Sequence, residues 1–291
     1  MRLIINRFPA LTIATALITL LVGCLPAPSQ PPAPTIEKPL QSTPQTAPTK
    51  PVISPHLLLG NPSKASATVA TPDNYLMVKN QYALSYNRST GTPNWASWQL
   101  NNSWLGETKR QNNFRPDDTL PTGWQRVTAN DYSGSGYDRG HVVPSGDRTR
   151  TVEDNSATFL MTNMIPQTPD NNRNTWESLE SYSRELVRNG KELYITAGTF
   201  GSQGQLKGKV TIPKFTWKIV VVLDNPGAGL KGITANTRVI AVNIPNDQEV
   251  DNSWRSYKVS VDELEKLTGY DFLSNVSPNI QTSIESKIDN L

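Results

Sequence analysis

An α+β fold, with a central, mostly antiparallel sheet flanked by helices, is what this sequence predicts. Short stretches with β-branched enrichment or period-two alternation recur along the chain. Only two segments carry a clear helical stripe, and they do not alternate with the strands as βαβ units would. The strand-like stretches are 81–86, 97–100, 157–161, 192–198, 210–223 and 238–243. Val220-Val221-Val222-Leu223 is continuously apolar, so that strand should be covered on both faces. The first helix is expected over 175–189, with Trp176, Leu179, Tyr182, Leu186 and Val187 on one stripe and Gly190 as the stop. Ser260-Val261-Asp262-Glu263 is a capping box that opens a second helix ending at Gly269.

Three segments divide the chain. Arg2 and Arg7 precede an apolar run, Phe8 to Val22, that is too short for a spanning helix and reads as a secretory signal. The run ends Leu21-Val22-Gly23-Cys24, which resembles the lipobox of bacterial lipoproteins, where the cysteine becomes the acylated N-terminus. Lipidation of Cys24 implies a membrane-anchored lipoprotein, periplasmic or on the cell surface; an ordinary signal would give a secreted protein. Either way residues 1–24 are an export address. Residues 25–55 hold ten prolines, no glycine and no aromatic residue, and read as an extended linker. Residues 56–291 remain for one domain with a substantial core.

Charge and cysteine count exclude several classes. The chain has 28 Lys+Arg against 25 Asp+Glu, a net of +3. That excess lies before residue 56, where Arg2, Arg7, Lys38 and Lys50 face Glu37 alone. The domain is therefore near neutral, and any affinity for nucleic acid must come from local charge. A mean hydropathy of −0.46 excludes a polytopic membrane protein. With one cysteine, Cys24, and two histidines, His56 and His141, no intramolecular disulfide can form and a structural zinc site is nearly excluded.

The chemistry concentrates in two clusters. The first is Tyr137-Asp138-Arg139-Gly140-His141-Val142-Val143-Pro144-Ser145-Gly146-Asp147-Arg148-Thr149. A carboxylate, a guanidinium and an imidazole fall within four residues. Gly140 removes a side chain beside the imidazole, which would let a bulky ligand approach. Histidine is the usual general base near neutral pH, and arginine suits bidentate phosphate contact. The second cluster, Asn163 to Trp176, leads into the first helix. There Asn172, Trp176, Glu180 and Arg184 are spaced by four, so they run up one side of a helix that starts near Asn172. An amide oxygen and a carboxylate two turns apart can serve one hard cation, the carboxylate through water. The bland alternative is an N-cap followed by a Glu180–Arg184 pair on an exposed helix.

Asp-Arg-Gly-His, then Pro-Ser-x-Asp-Arg-Thr, then Asn-Met-x-Pro-Gln and Asn-Arg-Asn-x-Trp-x-x-Leu-Glu, resembles the DNA/RNA non-specific endonuclease family. That family lies within the His-Me finger, or ββα-metal, superfamily. The chain is most similar to its cyanobacterial, Anabaena-type members, and His56 to Ser63 looks like their domain start. The resemblance spans roughly 56–275. It implies that His141 is the general base and that Asn172 is the direct protein ligand of Mg²⁺ or Mn²⁺. It implies that Glu180 and Asp138 act on the cation through water, and that Arg110, Arg139 and Arg184 stand at the phosphate. DNA and RNA, single- and double-stranded, are the implied partners, with 5′-phosphate products; a cognate protein inhibitor is a further partner by family analogy.

A tethered lipoprotein that binds nucleic acid or another polyanion without chemistry would use the same arginines. A serine hydrolase is disfavoured by the lack of Gly-x-Ser-x-Gly, and a zinc protease by the lack of His-Glu-x-x-His. Gly198-x-x-Gly201-x-x-Gly204 lacks the lysine of a phosphate loop and reads as turns.

Overall fold

The computed structural model describes residues 54–291; the export signal, Cys24 and nearly all of the proline-rich linker lie outside the described residues. Eleven strands occur: β1 Tyr75–Val78, β2 Ala83–Asn87, β3 Thr92–Leu100, β4 Asp138–His141, β5 Met164–Gln167, β6 Glu192–Phe200, β7 Gln205–Leu206, β8 Val210–Thr211, β9 Phe215–Leu223, β10 Arg238–Pro245 and β11 Lys258–Val259. The α-helices are α1 Val152–Ala157, α2 Glu177–Arg188, α3 Val261–Thr268 and α4 Pro278–Glu285.

Seven strands form one sheet in the order β1-β2-β3-β6-β9-β10-β11. Every neighbouring pair is antiparallel, as expected. β9 lies inside the sheet, with Val220 opposite Ile195 of β6 and Ile240 of β10. Its alternation feeds two apolar clusters. Val220 and Val222 pack with Trp98, Trp176, Leu179 and Val187, on the face that carries α2. Trp217, Ile219, Val221 and Leu223 pack with Val261, Leu264 and Ile284, on the face that carries α3 and α4. Coverage on both sides explains the unbroken apolar run at 219–223. Among the described residues, no helix is long and apolar enough to cross a membrane.

Several expectations hold at the residue level. Gly190 and Gly269 take positive φ, 86° and 73°, where the chain leaves α2 and α3. The Glu263 amide donates to Ser260 Oγ at 3.1 Å, the serine half of the capping box.

Two strand expectations fail for local reasons. Residues 157–161 are not a strand. They leave α1, capped by Thr151, whose hydroxyl accepts from the Asp154 amide, and enter a 3₁₀ turn at Met161–Asn163. The carbonyl of Thr158 in that stretch accepts from Asn163 Nδ2 at 2.9 Å, a side-chain bond that competes with a strand ladder. The stretch 210–223 divides at Pro213, which has no N–H to donate, into β8 and β9. β1, β4, β5, β7 and β11 carried no clear strand signal.

One carboxyl on the α3–α4 face links stability to pH. Glu285 is buried, with Asp262 and Glu265 oxygens close by. Burial first, then the neighbouring acids, pushes its carboxyl up to about 7. The folded chain thus holds that proton more tightly than the unfolded chain. The contribution is present below the ordinary glutamate value and is lost as pH rises through about 7. The melting temperature is expected to fall between pH 5 and 8, and Glu285→Gln to flatten that fall. An unchanged pH slope in the variant would refute the assignment.

Candidate active site

β4 and β5 pair antiparallel, with Asp138 opposite Gln167 and His141 opposite Met164. The chain then passes through a π-helical segment, Asn171–Trp176, directly into α2. Two strands and a helix thereby close around one cleft of about 420 Å³. Arg110, Arg139, His141, Asn172, Glu180 and Arg184 line it together, joined by Ser145, Arg173 and Glu177. Asp138 is not a lining residue; it stands behind Asn172.

The π-helical segment changes the row on α2. A wider turn rotates the side chains, so Trp176 faces the core, 1% exposed, instead of standing in line between Asn172 and Glu180. The cleft row becomes Asn172, Arg173, Glu177, Glu180 and Arg184. The neighbouring amide, Asn171, is fully buried. It accepts from Gln167 Nε2 at 2.7 Å and donates to Thr216 Oγ1 at 3.1 Å and the Pro245 carbonyl at 2.8 Å. Two adjacent asparagines thus have opposite uses, one internal and one at the cleft.

Asn172 is oriented by Asp138. Its Nδ2 donates to Asp138 Oδ2 at 2.9 Å, which leaves Oδ1 without a protein donor. Arg173 also holds Asp138, with Nε to Oδ2 at 2.8 Å and an NH2 to Oδ1 at 2.7 Å. Burial raises the Asp138 carboxyl, but the hydrogen bonds from Arg173 and Asn172 outweigh it and hold the group below the usual carboxylate range.

His141 stands edge-on to Phe159, ring centres 4.8 Å apart and planes at 88°, with Phe114 at 5.6 Å. Its Nε2 is buried with no hydrogen-bond partner. Burial, then Arg110 and Arg139, lowers its pKa to about 3, so the ring is neutral at physiological pH. Both arginines are braced by aromatic faces: Arg110 lies 4.9 Å over Phe159 and Arg139 lies 4.2 Å over Phe114. An NH1 of Arg110 also donates to Ser145 Oγ at 2.7 Å. These aromatic supports carried no signal in the sequence motifs.

A row of charges runs from the floor of the cleft into the core, with Glu180 and Arg184 half-buried and Asp147 and Lys218 buried. Arg184 donates to Asp147 Oδ1 at 3.2 Å and Ser181 Oγ at 2.9 Å, and lies against Gly146. The Glu180–Arg184 pair is looser than its i,i+4 spacing suggested, at 4.0 Å. Glu180 Oε1 instead faces Lys218 Nζ of β9 at 3.6 Å. Burial pushes the Glu180 carboxyl up to about 6, with Lys218 and Arg184 pulling it back. Asp147 also accepts from Trp98 Nε1 at 2.9 Å. Lys218 belongs to neither motif, although a lone charge within an apolar strand is a readable anomaly. Arg148, in the first motif, is wholly buried. It donates to the carbonyls of Gln81, Gln99 and Asp147, so it braces the fold and does not face the cleft.

A matching family model, DNA/RNA non-specific endonuclease, covers residues 60–279. The chain belongs to the DNA/RNA non-specific endonuclease family. It is 72% identical over 276 residues to the protein named Nuclease of Nostoc sp. (strain PCC 7120 / SAG 25.82 / UTEX 2576), covering 94% of this chain and 96% of that one. It is 30% identical over 217 residues to Nuclease C1 of Cunninghamella echinulata var. echinulata, covering 68% and 82%. The EndoG structure in the EndoG/EndoGI complex shares the fold, with a TM-score of 0.64 at 21% identity, covering 76% of this chain and 91% of that one. The protein is thus an endonuclease, and in its cleft an imidazole, an amide oxygen and several guanidinium groups meet. A second hollow, lined by Ser63, Asn74, Asn94 and Tyr270 among others, holds no histidine or arginine.

Gly140 of this endonuclease has a different use from the one its sequence position suggested. A Cβ there would sit 1.8 Å from Gln167 Oε1 and 2.5 Å from its Cδ. The glycine makes room for Gln167 across the β4–β5 pair and does not open the imidazole to a ligand. Gly140→Ala is expected to destabilise the protein by about 1–3 kcal/mol through overpacking. Gln167→Ala in the same chain should recover part of that loss in thermal melts; a fully additive effect would exclude this contact as the cause.

Proposed function

We propose that the enzyme hydrolyses phosphodiester bonds of DNA and RNA with one Mg²⁺ or Mn²⁺ held at Asn172, leaving 5′-phosphate and 3′-hydroxyl ends. The observation that carries the reading is the meeting of His141, Asn172, Glu180 and three arginines in one cleft. The donors fit a hard cation. Asn172 offers a free amide oxygen, fixed in direction by its Nδ2 bond to Asp138, and Glu180 and Glu177 add carboxylates. Among the described residues, the one three-member carboxylate group is Asp262, Glu265 and Glu285, on the α3–α4 face. Asn172 is taken as the direct donor in the cleft, with the remaining positions left to water and phosphate.

Bound there, the cation would supply charge stabilisation to the departing 3′-oxygen. His141, neutral and desolvated, accepts the proton of the attacking water. Its proton affinity is low first because it is buried and then because Arg110 and Arg139 stand beside it uncompensated. A phosphate between those arginines offsets their charge and raises it, so the base gains strength with substrate in place. Arg110, Arg139 and Arg184 meet the charge that develops on the phosphoryl oxygens. Glu180 would hold the water around a cation bound at Asn172. Both Asp138 oxygens are engaged, so its part is to aim the Asn172 amide, and a cation-bound water would have to compete with Arg173 for it. None of these groups requires a 2′-hydroxyl, and arginines reading phosphate impose little sequence preference.

We propose also that the nuclease is exported and tethered through acylated Cys24, or else secreted. The basic n-region, the apolar run and the position of the lone cysteine support this. The EndoG/EndoGI complex concerns inhibition of EndoG, which supports a protein inhibitor as a partner class for this nuclease.

Plasmid DNA and RNA incubated with the protein should be degraded, and EDTA should stop the reaction. Products should ligate without prior phosphorylation. His141→Ala should lose about 10²–10⁴-fold in rate or more, and Asn172→Ala should lose strongly and recover in part at high Mg²⁺ or Mn²⁺. Undiminished cleavage in EDTA, or ends that ligate only after kinase treatment, would overturn the mechanism.

Cys24→Ser should move the exported protein from the membrane fraction to the soluble one. An unmutated protein that is soluble without detergent would exclude the anchor.

A further inference from the structure

Lys218 stands in the interior of the sheet, opposite Ala197 of β6 and Val242 of β10, and is 1% exposed. Isolated ammonium groups are not stably placed in such surroundings, since removing one from water costs several kcal/mol. A methionine or isoleucine would satisfy the packing alone. Two features offset the charge. The Trp176 ring faces the ammonium at 4.0 Å, with Trp98 at 5.9 Å, and Glu180 Oε1 lies 3.6 Å away. Glu180 is the one carboxylate in ion-pair contact with Lys218 among the described residues. Its other oxygen reaches Arg184 at 4.0 Å.

We propose that Lys218 is a positioning residue for the hydrolysis. Its fixed charge holds the Glu180 carboxylate from beneath the cleft, in one orientation, with Trp176 as the surface that seats the ammonium. The inference rests on the reading of Glu180 as the group that orders the cation's hydration shell. The geometry supports a directed role. Lys218 is anchored in the strand ladder and has one carboxylate to face, whereas Arg184 divides its donors among Asp147, Ser181 and Glu177. Without Lys218, Glu180 keeps only its loose contact with Arg184. The π-helical segment Asn171–Trp176 is what turns Trp176 inward to lie against the ammonium, so one irregularity serves both Asn172 and Lys218.

A double-mutant cycle tests this in the full chain. Lys218→Met should lower kcat by on the order of 10²-fold, the scale of a misplaced catalytic contact, with KM for plasmid DNA unchanged. In a Glu180→Gln background the same change should cost nothing further, because residues that act as a unit are not additive. A purely structural lysine would instead lower activity by the same factor in both backgrounds, and that result overturns the proposal. Metal-free melting gives a readout independent of activity. Glu180→Gln should lower the melting temperature by leaving the ammonium without its partner, and adding Lys218→Met should raise it again by several °C. A further drop in the double variant overturns the pairing. Should Lys218→Met alone not fold, Glu180→Gln against the double variant still decides the matter, by melting temperature and by kcat. If Glu180→Gln keeps wild-type kcat, the reading of Glu180 itself fails, and with it the catalytic part of this inference. Failed coupling beside an impaired Glu180→Gln sinks Lys218 alone.

Discussion

Four charged side chains, alternating in sign, lie in a row under the cleft: Lys218, Glu180, Arg184 and Asp147. They come from β9, from α2 and from the turn after β4, and Trp98 of β3 closes the row through its indole N–H to Asp147. Charges this far from water are tolerated only when each has a partner, so the three elements must be docked in register before any one charge is stabilised. Removing one partner strands another. This coupling makes the position of the cleft a property of the sheet, although every lining residue lies outside the seven-stranded sheet.

The same logic governs the groups above the row. Arg110 and Arg139 are stacked on Phe159 and Phe114, and His141 packs against both of those rings, which also touch each other. The aromatic faces let two guanidiniums approach one imidazole while burial keeps that imidazole uncharged. A net-neutral domain can therefore present a locally cationic cleft. The site draws on few groups with many supports: a single imidazole, a single cleft-facing amide, and arginines held by rings, hydroxyls and carboxylates.

Antiparallel pairing, two-sided burial of the 220–223 run, the stops at Gly190 and Gly269, and six residues that now line one cleft were all legible from the chain. Periodicity, turn chemistry and the spacing of reactive side chains are local properties, written in the order of residues. The strand at 164–167 was less legible because its four residues include a proline and a glutamine, and its pairing with β4 comes from a distant segment. The supposed strand at 157–161 shows the converse. Phe159 and Met161 in it are buried, but the side chain of Asn163 spends its hydrogen bonds on the backbone there and on Val143.

What only the tertiary structure decided is which of several equivalent residues does what. Asn171 and Asn172 are the same residue type one position apart, and a π-helical segment sends one inward and one to the cleft. Arg148 lies in the motif yet braces carbonyls, while Lys218 lies in an apolar strand yet faces a site carboxylate. Gly140 answers to Gln167 on the paired strand and not to a ligand. The sequence by itself determined the fold class, through hydrophobic periodicity, and the family, through the resemblance of its motifs; it also named six of the residues that line the cleft. The role of each charged or amide side chain depends on the dielectric and the partners around it, and those are supplied by segments far apart in sequence that meet only when the sheet and α2 pack.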